Sequence, residues 1–388
     1  MPTDVADPVQ LAQALIRCNS VTPAEGGALT LLESVLKPAG FTCHRLRMQE
    51  PGTLDVENLY ARLGSDGPHL CFAGHTDVVN AGDEAAWLHP PFAGVIAEDR
   101  LYGRGAVDMK GGIACFLAAT IAHLQESGGL RRGSLSLLIT GDEESVAVNG
   151  TCKLLDWLKQ RQEKIDGCLV GEPTSAEALG DEVKIGRRGY LNASLVVHGK
   201  QGHSAYGEKA ENPIPKLARM IDRLAGAVLD NGTEHFQRTS LEPTIISVPN
   251  TATNVIPGTA RANFNIRYND LHTRQSLQAW LQEQCQAAAA EVGGKFSLSF
   301  EGNGDVFLTK PGPLVEMMAA AVQAITGHRP ALTTNGGTSD ARFIKELCPV
   351  VEFGLRNATA HQIDEHVPIA DLQALTAIYR RFIGLFFA

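Results

Sequence analysis

The sequence predicts an α/β fold interrupted by a smaller α+β unit, and three observations lead there. Apolar runs of strand length end repeatedly in metal-capable residues, at 68–77, 135–145, 167–173 and 349–361. Segments between them carry apolar residues at helical spacing, as in Ile113, Phe116, Leu117, Ile121 and Leu124. From 189 to 300 the pattern changes to β-α-β-β-α-β, the ferredoxin-like order. Metal-capable residues flank that stretch on both sides, so it reads as an insertion into a split domain.

Composition narrows the function classes. A chain of 388 residues is long enough for two domains. A net charge of −9 with no Lys/Arg run argues against nucleic acid and against an anionic membrane surface. Residues 1–20 lack the basic and apolar regions of a secretory signal, and no apolar run is long enough to span a bilayer. The expectation is a cytoplasmic protein. Its eight cysteines form no Cys-x-x-Cys pair, which disfavours a thiolate metal site and suits reduced core thiols.

In chain order, Asp7-Pro8 supplies an N-cap and first residue for a helix with Leu11, Ala14, Leu15 and Cys18 in one stripe. A second helix runs from Ala28 toward Gly40, and strands are expected at 41–46 and 58–63. The His75 strand follows. The stretch 87–101 reads as loop, broken by Pro90-Pro91, and a helix then ends at Gly128-Gly129. Gly103-Arg-Gly105 lacks the spacing of a phosphate cradle and is set aside as one. In the insertion, strands are expected at 189–197, 243–248, 259–268 and 295–300, with helices at 212–230 and 273–292. Helices at 313–326 and 370–386 close the chain, separated by the glycine-rich turn 335–340.

The strand ends carry the chemistry. In open α/β sheets, ligands bind beyond the carboxyl ends of the strands. His75-Thr-Asp77 offers an imidazole beside a carboxylate that can orient it, although a structural pair is equally consistent. Asp108 precedes a helix and equally suits an N-cap. Asp142-Glu-Glu144 taken alone reads as a solvated acidic turn before it reads as a site, and Glu172 and His361 are weak singly. Together, two imidazoles, three carboxylates and one spare glutamate are the parts of a dinuclear site with a bridging water. Two divalent cations set against Asp108, Glu144 and Glu172 leave one net positive charge.

Gly74-His-Thr-Asp-Val-Val79, the stretch 103–114, Asp142-Glu-Glu144 and Gly171-Glu-Pro173 resemble the dinuclear zinc aminoacylase/carboxypeptidase family, over essentially the whole chain. The resemblance implies a split catalytic domain (1–186 and 301–388) with a central mixed sheet flanked by helices, plus an inserted ferredoxin-like α+β dimerisation or lid domain (187–300). It implies two Zn2+ per chain, with Co2+ able to substitute. His75 and Glu172 would hold one ion, His361 and Glu144 the other, and Asp108 would bridge. Glu143 would be the general base and Asp77 would orient His75. A cis peptide is expected at Asp108-Met109, and His203 is expected to reach the partner subunit's site in a homodimer.

Stretches 82–87, 186–189, 253–258 and 336–340 narrow the resemblance to enzymes acting on an N-succinyl amide of a small molecule. Arg187, Asn254, Arg267, Gly336 and Thr338 are then candidate partners for substrate carboxylates, because arginine pairs carboxylates bidentately. The same chemistry on an N-acetyl amino acid or a dipeptide stays open, as does a metal-dependent binding protein without catalysis. Two departures touch the loops: Ser145-Val-Ala147 and Ala341 stand where glycine-containing segments are expected.

Overall fold

The computed structural model describes residues 4–388. They divide into two compact units, one of 4–185, 309–333 and 339–388, the other of 186–308 and 334–338. The insertion thus begins and ends in the short strand pair Gly186–Arg187 with Phe307–Leu308. The unit so bounded starts one residue before and ends eight residues after the expected 187–300, since two-residue strands leave no period to read.

The first unit opens with α1 (Pro8–Ile16) and α2 (Ala28–Leu36). Asp7 caps α1 by accepting the Val9 N–H, with Pro8 in the first turn. Strands β1 (Thr42–Met48), β2 (Val56–Leu63) and β3 (His69–His75) follow. Next come α3 (Lys110–Ser127), β4 (Ser134–Thr140), α4 (Thr151–Gln160), β5 (Gly167–Val170) and β6 (Glu182–Lys184). The inserted unit holds β7 (Gly189–His198), α5 (Pro213–Ala225), β8 (Ser240–Ser247), β9 (Thr259–Tyr268), α6 (Arg274–Val292) and β10 (Lys295–Gly304). The first unit resumes with α7 (Pro313–Thr326), β11 (Ala331–Thr333), α8 (Ala341–Ile344), β12 (Val350–Glu352) and α9 (Ile369–Phe386).

The first unit is built on an eight-stranded mixed sheet in the order β1-β2-β4-β3-β5-β12-β6-β11. Its centre, β4-β3-β5-β12, is parallel. Every residue of β4 and β5 is buried, as expected of strands covered on both faces. Register places the carboxyl ends together: His75 lies opposite Thr140, and Val170 opposite both Ala73 and Glu352. Helix α3 is buried from Lys110 through Ile121. Its start approaches β5 closely, because a Cβ on Gly112 would fall 2.6 Å from the Gly171 carbonyl. Only glycine permits that contact.

The inserted unit is a four-stranded antiparallel sheet in the order β8-β9-β7-β10, with α5 and α6 on its apolar face. Leu191, Leu195, Phe264 and Ile266 meet Leu217, Leu224, Leu277 and Leu281 there. Asn212 caps α5, and Thr273 with Ser276 forms a capping box on α6.

Several expectations shift. Helix α5 stops at Ala225, short of the expected 230, and Val228 beyond its end is 71% exposed. The stretch 87–101 is not all loop: strands Val95–Ala97 and Arg100–Tyr102 pair there, and His366–Pro368 joins them. Helix α4 is an addition that the sequence reading did not contain. Among the described residues, no helix is long and apolar enough to cross a membrane.

Candidate metal centre

The parallel strands deliver side chains to one edge. His75 is the last residue of β3, Glu143 and Glu144 follow β4, and Glu172 follows β5. Asp108 lies two residues before α3, joined by a cis peptide to Met109, the residue that precedes the helix. His361 lies in the loop after β12, with a left-handed φ of 62°.

These atoms converge in two groups. His75 Nε2 lies 3.1 Å from Asp108 Oδ1 and 3.6 Å from Glu172 Oε1. His361 Nε2 lies 2.8 Å from Glu144 Oε1 and 3.3 Å from Asp108 Oδ2. Asp108 therefore turns one oxygen to each imidazole. Ligand atoms on a tetrahedral ion with bonds of about 2.0 Å sit about 3.3 Å apart. The observed separations fit that spacing, and the donor set of imidazole and carboxylate suits zinc.

Charge crowding gives the cluster unusual protonation. Burial pulls the His75 imidazole down, but Asp108, Glu172 and Glu143 outweigh it and hold the ring well above its ordinary value. Hydrogen bonds to Asp108 and Glu144 raise His361 to about 10. Burial pushes Asp108 up, yet His361 and His75 pull it below the usual carboxylate range. Glu172 goes the other way, raised by burial and by Asp108. Burial raises Glu143 to about 8, with Asp340, Glu144 and Asp108 adding to the rise and His75 opposing it. Without cations the cluster thus keeps protons that bound cations would displace.

Asp77 sits differently from a simple imidazole partner. The His75 Nδ1 hydrogen bond runs to the Asp77 main-chain carbonyl at 2.9 Å, while the nearer carboxylate oxygen is 3.7 Å away. The Asp77 carboxylate instead accepts the N–H groups of Glu143 (3.4 Å) and Glu144 (3.1 Å). It ties the ends of β3 and β4 together. Asp142 accepts the Val148 and Asn149 N–H groups and pins the loop behind the pair.

The remaining candidates lie in the inserted unit, in two places. Arg187 Nη1 donates to the Gly337 carbonyl (2.9 Å), and a Cβ on Gly336 (φ 92°) would meet it at 3.0 Å. Arg267 donates to Thr338 Oγ1 (3.1 Å) and lies over the Tyr190 ring. His203 is exposed on the short strand Gly202–His203, paired with Val255–Ile256, and Ser204 donates to the Asn254 carbonyl. Arg188 was not among the residues singled out from the sequence. Burial, followed by repulsion from nearby Arg188, lowers Arg267. The doubled arginine in Gly186-Arg-Arg-Gly189 was the available signal.

The sequence model of peptidase family M20/M25/M40 matches residues 71–384. The chain belongs to that family. Among curated M20 relatives, a succinyl-diaminopimelate desuccinylase of Rhodospirillum centenum is 58% identical, covering 98% of each chain. One of Rhodopseudomonas palustris is 54% identical, covering 100% of each. A tripeptidase structure from Staphylococcus aureus superposes with a TM-score of 0.80 at 18% identity, covering 100% of each chain. A Bacillus subtilis structure described as a dinuclear metal-binding M20 peptidase gives 0.71 at 16%, covering 98% of this chain and 96% of that one.

Proposed function

We propose that this M20 hydrolase cleaves the amide of N-succinyl-L,L-2,6-diaminopimelate, releasing succinate and L,L-diaminopimelate for lysine and diaminopimelate biosynthesis. The observation that carries the chemistry is Asp108, whose two oxygens face two separate imidazole–carboxylate pairs. The acyl group is taken from the full-length relatives. We assign His75, Glu172 and Asp108 to one Zn2+ and His361, Glu144 and Asp108 to a second, with Co2+ as a substitute. Bound divalent ions polarise a carbonyl and lower the pKa of water.

The chain's own residues do the rest. Glu143 is half-buried beside His75 and Glu172, and we assign it to no ion: its carboxylate is the general base that takes the proton of the attacking water. The same carboxyl then returns the proton to the departing amine. Asp77 holds the main chain of Glu143 and Glu144 and fixes where the base stands. We assign Arg187, Arg267, Asn254 and the 336–338 turn to substrate carboxylates, with Arg188 added to the set, since arginine pairs carboxylates bidentately. We further assign a homodimer through the inserted unit. Strand β8 is a sheet edge, and it exposes Ile245 (54%) and Ile246 (63%). A cytoplasmic location accords with the free cysteines.

The test is hydrolysis of succinyl-diaminopimelate beside acetylornithine, with metal measured on the same sample. The expected result is two equivalents of metal, preference for the succinyl substrate, loss of activity on chelation and recovery with zinc. Full activity in a sample free of metal, or preference for acetylornithine, would refute the reading.

A further inference from the structure

The ligands of the two assigned ions are not supported equally. His75 and Glu172 are set by strands whose backbone is bonded on both sides. His361 belongs to no strand, its backbone is left-handed, and its side chain is 48% exposed. Such a conformation is uncommon for histidine and persists where neighbours fix it.

The neighbour is a buried ion pair. Arg104 is 3% exposed and Glu365 0%. Arg104 Nη1 donates to Glu365 Oε2 at 2.8 Å. The same guanidinium donates to the carbonyls of Gln362 (3.2 Å), His361 (3.4 Å) and Asn80 (3.4 Å). On the other side, Glu365 Oε1 accepts the N–H groups of Val107 (2.9 Å) and Asp108 (3.2 Å). One end of the pair therefore grips the main chain of His361, and the other grips the main chain of Asp108. The Trp87 ring covers the guanidinium at 5.2 Å. Neither side chain touches the imidazole or carboxylate atoms of the cluster in the contacts above, so the pair acts through them.

We propose that Arg104 and Glu365 are positioning residues that set His361 against Asp108. The ion held by His361, Glu144 and Asp108 depends on them most, because both its histidine and its bridging carboxylate are gripped by the pair, whereas the ion at His75 and Glu172 shares only Asp108 with it. This rests on the two-ion assignment above. Partners behind metal ligands typically change metal affinity about 10- to 100-fold.

The experiment uses full-length protein loaded with Zn2+, then dialysed against a graded zinc buffer, with metal per chain counted and the thermal midpoint recorded. Wild type is expected to hold two equivalents. Glu365→Ala is expected to hold one tightly and to bind the second about 10- to 100-fold more weakly. Glu365→Gln keeps a carbonyl oxygen for the two N–H groups and is expected to restore much of the second equivalent. Wild type without metal would defeat the two-ion assignment itself. With wild type at two, Glu365→Ala binding both as tightly, or losing both together, would overturn the positioning role. If Glu365→Ala fails to fold, Arg104→Lys serves: it keeps the buried positive charge but cannot reach all four acceptors. Selective weakening of one equivalent supports the proposal, and unchanged binding of both overturns it.

Discussion

Asp142, Glu143 and Glu144 follow one another in the chain, yet their carboxylates go three ways. Asp142 accepts two main-chain N–H groups, Glu144 faces His361, and Glu143 stands half-buried beside His75 and Glu172. Glu143→Gln should therefore lower kcat by about 100- to 10,000-fold, the range of a lost general base, with metal content unchanged. Glu144→Gln should release one equivalent of metal. Turnover and elemental analysis on the same samples check both, and a Glu143→Gln enzyme with near wild-type turnover would remove the base from Glu143. Elsewhere, Asp230 is held near 2: burial would raise it, but Thr239, the Gly232 N–H and Asn269 outweigh that. Its folded value lies below the ordinary 3.8, so the unfolded chain binds the proton more tightly. Its contribution is full above about pH 4 and is lost as pH falls toward 2. Urea unfolding of wild type should lose stability across that window more steeply than Asp230→Asn, and equal slopes would contradict this.

The strand ends were legible in the sequence because four apolar runs each stop at a metal-capable residue, and a parallel sheet puts such ends side by side. Strands β6 and β11 were not, since three residues show no period. Glu365 left no trace either: an acidic residue in a polar loop gives no hint that it will be buried. Arg104 was visible, but only as part of a glycine pattern considered for phosphate. Ala147 is instructive in the other direction. It lies in the segment Ser145-Val-Ala147, where a glycine-containing one was expected, and takes a left-handed φ of 53° without the residue that suits it best. Gly112 allows no such exchange. In Gly112→Ala the new methyl must push α3 away from the end of β5, and overpacking of this kind costs about 1–3 kcal/mol. Denaturant midpoints should fall accordingly, and an unchanged midpoint would show that the contact relaxes freely.

At the scale of the whole molecule, the resemblance to dinuclear relatives implies that His203 serves the partner's site. His203→Ala should lower turnover by about 100- to 1,000-fold, the usual loss for one oxyanion donor. A forced heterodimer of Glu143→Gln with His203→Ala separates the two arrangements. If His203 acts across the dimer, the chain that keeps Glu143 receives the histidine of its partner and one site revives. A heterodimer confirmed by mass and as inactive as its parents would place His203 in its own chain's site.

The insertion also fixes when the cluster is completed. His75, Asp108, Glu143, Glu144 and Glu172 all precede it, whereas His361 comes 189 residues after Glu172. At about 5–20 residues per second, synthesis of that interval takes roughly 10–40 s. Strand β12, which closes the sheet between β5 and β6, is made in the same late interval. For that time the nascent chain carries the His75–Glu172 half of the site without its counterpart. The half that is made first is also the half that leans less on Arg104 and Glu365, so the order of synthesis and the division of labour among the ligands coincide.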